Sequence, residues 1–273
     1  MGTTQGVVAG LFALCIGAHS AATEVEVAPL VIGETLQIES DVLAETRRIN
    51  VFFPYDYNPQ SKTALPVIYM PDGGLMEDFV HIAGVLQVSI GNATSRPFIL
   101  VGIENTQRQR DLTGPTDVEH DRAIAPIVGG SAAYRTFLRS ELMPLIRERY
   151  PTTDESAIIG ESLAGLFVVE TFLLEPALFD HYIAVDPSLW WNADQYVKQA
   201  DELLQSPDHS GKSLFLAASS QVQIRALTAE FAQIARSHQE LNLFHIELPE
   251  ESHSTIYHPA ALVALRRMLP PAE

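Results

Sequence analysis

A chain of 273 residues with 47% hydrophobic content can bury a substantial core, and its even spread of apolar runs points to one large domain rather than two. Asp and Glu number 34 against 17 Lys and Arg, and the net charge of −17 argues against nucleic acid or an anionic membrane as a general partner. One cysteine, Cys15, rules out a disulfide framework and a thiolate metal site.

Residues 1–22 hold an apolar run from Val7 to Ala18 followed by small residues. The run is too short to span a bilayer, and the pattern is that of a cleaved secretory leader. It lacks the usual Lys or Arg ahead of the run. The expectation is a periplasmic or secreted protein whose folded domain covers residues 23–273. Residues 35–40 and 47–54 alternate or carry β-branched and aromatic side chains, so they predict an antiparallel pair of opening strands. Residues 65–70 form a short apolar run that breaks at Pro71-Asp72-Gly73-Gly74, as a buried strand ending in a functional turn would. A helix over 75–90 and a buried strand over 98–103 follow. Residues 104–130 show no periodicity and predict a long functional loop. Its Arg108, Arg110 and Arg122 are candidates for a local basic patch.

A helix over 131–150 leads to the most informative stretch, a strand over 156–159 followed by Gly160-Glu161-Ser162-Leu163-Ala164-Gly165 and an apolar helix to about residue 174. Gly-x-Ser-x-Gly between a strand and a helix is the pattern of a nucleophile elbow. A serine hydroxyl attacks a carbonyl only when a sharp turn exposes it to a base and to backbone N–H donors. The two glycines leave room where a side chain would strike the neighbouring strand or helix. The alternative is a serine that merely opens the helix as a cap. Beyond it come a strand at 181–186, a helix near 194–204, a strand at 213–218, a helix at 222–237, a strand at 243–248 and a terminal helix at 259–269. Alternating strands and helices imply an α/β fold with a mostly parallel central sheet covered by helices on both faces, the α/β-hydrolase arrangement.

In that arrangement the base lies beyond the last strand, where the chain returns over the elbow. His253 meets this condition. His245 falls inside the strand, and His258, at the start of the last helix, is the substitute. The backbone N–H of Leu163 and one from Gly73 or Gly74 are the candidate oxyanion donors; an ordinary flexible turn is the other reading of the glycines. The acid is less determined. A carboxylate is usually expected after residues 213–218, where Ser219-Ser220-Gln221 offers none. Asp186, one strand earlier, can fill the role; Glu250, Glu251, or a dyad with a backbone group holding the ring are the alternatives.

Gly160 to Phe167, Pro176 to Ala184 (PALFDHYIA) and Asp186-Pro187-Ser188-Leu189-Trp190-Trp191, with Val101 to Thr106, Arg110 to Thr113 and Phe137 to Pro144, resemble an esterase family of α/β hydrolases. It includes esterase D-type enzymes and siderophore trilactone esterases. The likeness runs from about Thr35 to the end. It implies a serine carboxylesterase acting on a small-molecule ester without metal or cofactor, with Ser162 as nucleophile, His253 as base, and Trp190 and Trp191 near the pocket. Core packing is the other reading of the tryptophans. An acyltransferase on the same site, or a non-catalytic binding protein keeping the fold, are the competing functions. No nucleotide fingerprint or metal motif stands against this reading.

Overall fold

The computed structural model describes residues 1–2, 25–55, 57–60, 62–238 and 240–271. The leader expected at 1–22 and Cys15 lie almost wholly outside the described residues. The chain divides into two compact units, Met1–Val31 and Ile32–Glu273, and the regular structure of the described residues belongs to the second.

Eight strands form one sheet: β1 (Gly33–Ser40), β2 (Glu45–Phe52), β3 (Leu65–Pro71), β4 (Ile99–Ile103), β5 (Thr152–Glu161), β6 (His181–Val185), β7 (Ser213–Ala218) and β8 (Asn242–Glu247). Their order is β1-β2-β4-β3-β5-β6-β7-β8. The opening pair is antiparallel, as its alternating pattern predicts, and β2 runs antiparallel to β4. From β4 to β8 every pairing is parallel. Parallel strands need crossovers, and the helices that supply them cover both faces.

Alternation along the central strands sends side chains to two apolar layers. Ile68, Met70, Ala157, Ile159, Ile183 and Val185 pack against α1 (Phe79–Gly91) and α9 (Tyr257–Met268). On the other face Val67, Tyr69, Ile158, Tyr182, Ala184 and Leu216 meet α4 (Ser131–Phe137), α5 (Met143–Arg149), α6 (Leu163–Leu174), α7 (Trp191–Leu203) and α8 (Val222–Arg236). Helix α6 is buried on nearly every side. Its sequence is correspondingly apolar all round.

Three expectations change. The 104–130 segment is not structureless: it carries α2 (Arg108–Leu112) and α3 (Glu119–Ile124), each too short to leave a 3.6-residue period in the sequence. The helix expected over 131–150 is interrupted by a π-helical turn at Leu138–Leu142, which joins α4 to α5. The three arginines do not make a basic patch, because each faces carboxylate. Arg108 grips Asp72 with two bonds of 2.7 Å, Arg110 binds Glu45 and Asp111, and Arg122 binds Asp117.

Candidate active site

Six connections leave the sheet at its carboxyl edge, those following β3, β4, β5, β6, β7 and β8. Parallel strands deliver their chain ends to this edge together, which is why open α/β sheets bind ligands there.

Ser162 stands between β5 and α6 with φ 61° and ψ −118°. That backbone region is costly for a residue with a side chain, by about 1–3 kcal/mol, and such strain concentrates at functional turns. The surrounding packing enforces it. A Cβ on Gly160 would lie 2.7 Å from the Ala164 backbone, and one on Gly165 would lie 2.9 Å from the Val185 carbonyl oxygen. The Ser162 side chain makes no capping bond to α6, so the helix-cap reading does not hold. Its hydroxyl instead faces the imidazole of His253, with Oγ to Nε2 at 3.0 Å.

His253 lies in the connection from β8 to α9. A local turn supports it: the Ser252 N–H donates to Thr255 Oγ1 at 3.0 Å, and the Thr255 and Ile256 amides donate back to the Ser252 carbonyl. The ring is about one-third exposed, with 36% of its side-chain surface open. Its other nitrogen, Nδ1, meets Asp186 Oδ2 at 2.6 Å. This contact raises the imidazole pKa above its ordinary value, with burial acting in the opposite direction and the charge of Glu161 assisting.

Asp186 follows β6 and is fully buried. A buried carboxylate needs donors. It has them from Ser219, whose backbone N–H reaches Oδ1 at 2.6 Å and whose hydroxyl reaches Oδ2 at 2.8 Å. Ser219 is the first residue after β7, the place where the acid was expected and missing. A donor at that position clamps a carboxylate contributed by the adjacent strand. Glu250 and Glu251 sit in the same connection as His253, yet the ring nitrogen is directed at Asp186. His258 is bound at Nδ1 to His81 Nε2 at 3.0 Å, and His245 belongs to β8.

Glu161, the variable residue of the elbow, adds a second carboxylate. Its Oε1 lies 3.4 Å from His253 Nδ1, is buried, and accepts no hydrogen bond. Burial pushes this carboxyl up to about 7, with Asp186 and Asp78 adding to the rise while His253 and Arg108 oppose it. Ligand atoms of Glu161, Asp186 and His253 lie within 4.8 Å of one another. Hydrogen bonds hold Asp186 to Ser219 and to His253 Nδ1, while Glu161 Oε1 stands beside them without a donor.

The oxyanion candidates divide. Leu163 opens α6, so its N–H lies in the first turn, where no helical carbonyl is available to it. The amide of Gly73 donates to the Ile103 carbonyl at 2.9 Å and is committed to the fold. Its close approach to β4 explains the glycine: a Cβ there would lie 2.2 Å from the Ile103 nitrogen. The amide of Gly74 donates to Glu77 Oε2 at 2.6 Å, so a carboxylate now occupies it. The tryptophans separate too. Trp191 is 1% exposed and packs in the core, which corrects its expected place at the pocket. Trp190 is half-buried and meets the His120 ring of α3 edge-on, with centroids 6.2 Å apart.

Ser219, Glu161 and the Arg108–Asp72 clamp escaped sequence reasoning. Only the Glu161 position carried a signal, a carboxylate next to the nucleophile. Ser219 could have been found only as the answer to the missing acid.

A mostly parallel sheet with helices on both faces, an elbow after its fifth strand and a histidine after its eighth define the α/β-hydrolase class. The sequence profile of the family described as "Putative esterase" matches residues 40–256, and the chain belongs to that family. It is 31% identical over 180 residues to the ferri-bacillibactin esterase BesA of Bacillus subtilis (strain 168), covering 59% of this chain and 60% of that protein. It is 30% identical over 184 residues to the siderophore triacetylfusarinine C esterase of Aspergillus fumigatus, covering 60% and 59%. The matched region thus spans about 60% of the length of these curated relatives. Among solved structures, an IroE-like serine hydrolase from Shewanella oneidensis superposes with a TM-score of 0.79 at 28% identity, over 87% of this chain and 80% of that one.

Proposed function

We propose that this protein hydrolyses a carboxylic ester through an acyl-enzyme on Ser162. The observation that carries the reading is the continuous relay from Ser162 Oγ to His253 Nε2 at 3.0 Å and from His253 Nδ1 to Asp186 at 2.6 Å.

In the first step Ser162 Oγ bonds to the ester carbonyl carbon as its proton passes to His253 Nε2. The carbonyl π pair moves onto oxygen. Collapse breaks the carbon–alkoxide bond, and the leaving oxygen takes the proton from His253. Water then repeats the sequence and frees the acid. Asp186 keeps the Nδ1–H tautomer, which leaves Nε2 able to accept. The Leu163 N–H is the first oxyanion donor. Gly74 is the second, available once the substrate oxygen displaces Glu77; Gly73 is not.

Family membership and the esterase relatives support ester hydrolysis. Two of those relatives are named for siderophore esters, so a siderophore lactone or ester is the proposed substrate class, with Trp190 at the rim of its pocket. Absence of an acid would favour a binding protein, and the Asp186 contact speaks against that reading. Among the described residues no helix is long and apolar enough to cross a membrane. The proposal includes export by the 1–22 leader, which amino-terminal sequencing of secreted material tests: an intact Met1 counts against it.

Labelling with a fluorophosphonate tests the chemistry. One adduct on Ser162, absent from Ser162→Ala and accompanied by loss of p-nitrophenyl ester turnover, is the expected result. A folded protein that takes no label there overturns the proposal. A panel of short acyl esters and siderophore lactones then ranks substrates by kcat/KM.

A further inference from the structure

We infer that Glu161 is a positioning residue for the reaction: a second carboxylate on His253 that stabilises the imidazolium of acyl transfer and sets the lower pH limit of activity. The inference rests on the serine-hydrolase reading above and adds to it a residue outside the Ser162, His253 and Asp186 relay.

Glu161 ends β5 immediately before the strained Ser162, so the elbow fixes its backbone as tightly as the nucleophile's. Its Oε1 lies 3.4 Å from His253 Nδ1, too far to share the N–H that Asp186 holds at 2.6 Å, yet near enough for strong attraction to a positive ring. The two carboxylates are differently satisfied. Asp186 receives two donors from Ser219 as well as the ring, and these draw on its charge. Glu161 Oε1 is buried without a donor. A buried, unsatisfied carboxylate oxygen destabilises the fold, and a neutral side chain of similar shape would carry less of that cost. Groups of this kind gather where their charge is used.

The charges facing the pair are few. His253 meets Asp186 from the β6 turn, Glu161 from β5 and, at longer range, Arg108 from α2. Glu161 meets His253, Asp186 and Arg108, together with Asp78 ahead of α1. Arg108 is already gripped by Asp72, so His253 is the cation that forms and disappears within reach of Glu161 during turnover. Above about pH 7, where the Glu161 carboxyl is ionised, it therefore favours the protonated ring in two settings. In the transition state it lowers the barrier. In the free enzyme it makes the ring hold its proton to higher pH, so activity is lost earlier on acidification.

Glu161→Gln keeps the shape and removes the charge. The acidic limb of kcat/KM should move down by about one pH unit and the alkaline plateau should fall, by about tenfold. Glu161→Asp, which retains the charge, should move the limb less than half as far. NMR titration of the His253 ring in a Ser162→Ala background reads the same effect without turnover, and adding Glu161→Gln should lower that pKa by about one unit. Coincident limbs and an unmoved ring titration in a folded protein overturn the inference while leaving the esterase reading intact. Turnover that survives Ser162→Ala overturns the esterase reading itself.

Discussion

Replacing Asp186 by asparagine changes one atom in a fully enclosed position, and the surrounding donors dictate the outcome. The Ser219 backbone N–H, 2.6 Å from Oδ1, can only donate, so the asparagine amide oxygen must take that place. The amide nitrogen then occupies the Oδ2 position, facing the Ser219 hydroxyl and His253 Nδ1. A hydroxyl can rotate and accept. The ring must surrender its Nδ1 proton and carry it on Nε2 instead. Nε2–H then points at Ser162 Oγ from 3.0 Å as a donor and cannot take the serine proton. The wrong tautomer in a serine triad costs about 10³ to 10⁴ in kcat, or about 4–5.5 kcal/mol of transition-state stabilisation. The assay is kcat/KM on a short-chain p-nitrophenyl ester across a pH series, with active sites counted by phosphonate labelling and folding checked by circular dichroism. Turnover within a few-fold of the parent would refute the reasoning and remove Asp186 from the relay.

Ser219→Ala deletes one of three hydrogen bonds to a buried carboxylate, so urea denaturation should register a loss of about 1–3 kcal/mol, with a smaller drop in kcat than Asp186→Asn causes. Gly160→Ala drives a Cβ to 2.7 Å from the Ala164 backbone, and thermal unfolding should show a destabilisation of about 1–3 kcal/mol together with slower phosphonate labelling. The Glu161 carboxyl, raised in the fold from 4.5 to about 7, adds stability that is full below pH 4.5 and is lost as pH climbs through about 7. Glu161→Gln should therefore abolish that decline and exceed the parent above pH 7 by up to about 3 kcal/mol in chemical denaturation, even as the plateau rate falls. His258, paired with His81 rather than with the serine, should tolerate Gln with kcat/KM within about twofold; a collapse of activity would reopen the choice of base.

The elbow was legible because its constraints are local. Gly160 and Gly165 are required by atoms a few residues away or on the next strand, and the strand-to-helix switch shows in the period of the apolar residues. His253 followed from chain order alone. The acid was harder, since Asp186 is chosen over Glu250 and Glu251 by three-dimensional proximity and by Ser219, whose hydroxyl looks like any loop serine until β6 and β7 are laid side by side. The same holds for the arginines, which read as a positive cluster in sequence and are neutralised by Glu45, Asp72, Asp111 and Asp117, two of them more than thirty residues distant. Trp190 and Trp191 are adjacent in sequence, yet one faces α3 while the other fills the core, a division that a turn decides and hydrophobicity does not.

Strands β5 and β6 are aligned so that Glu161 lies opposite Val185, and the next residue on each is Ser162 or Asp186. The separation of nucleophile and acid is thus inherited from the interstrand repeat of ~4.8 Å, among the least deformable lengths in any sheet. Slipping that ladder by a single rung would turn Asp186 toward the opposite helical layer and silence the site in an otherwise well-knit molecule. Of the three relay groups, only the imidazole comes from outside this ladder, held by the turn at Ser252 in the connection from β8 to α9.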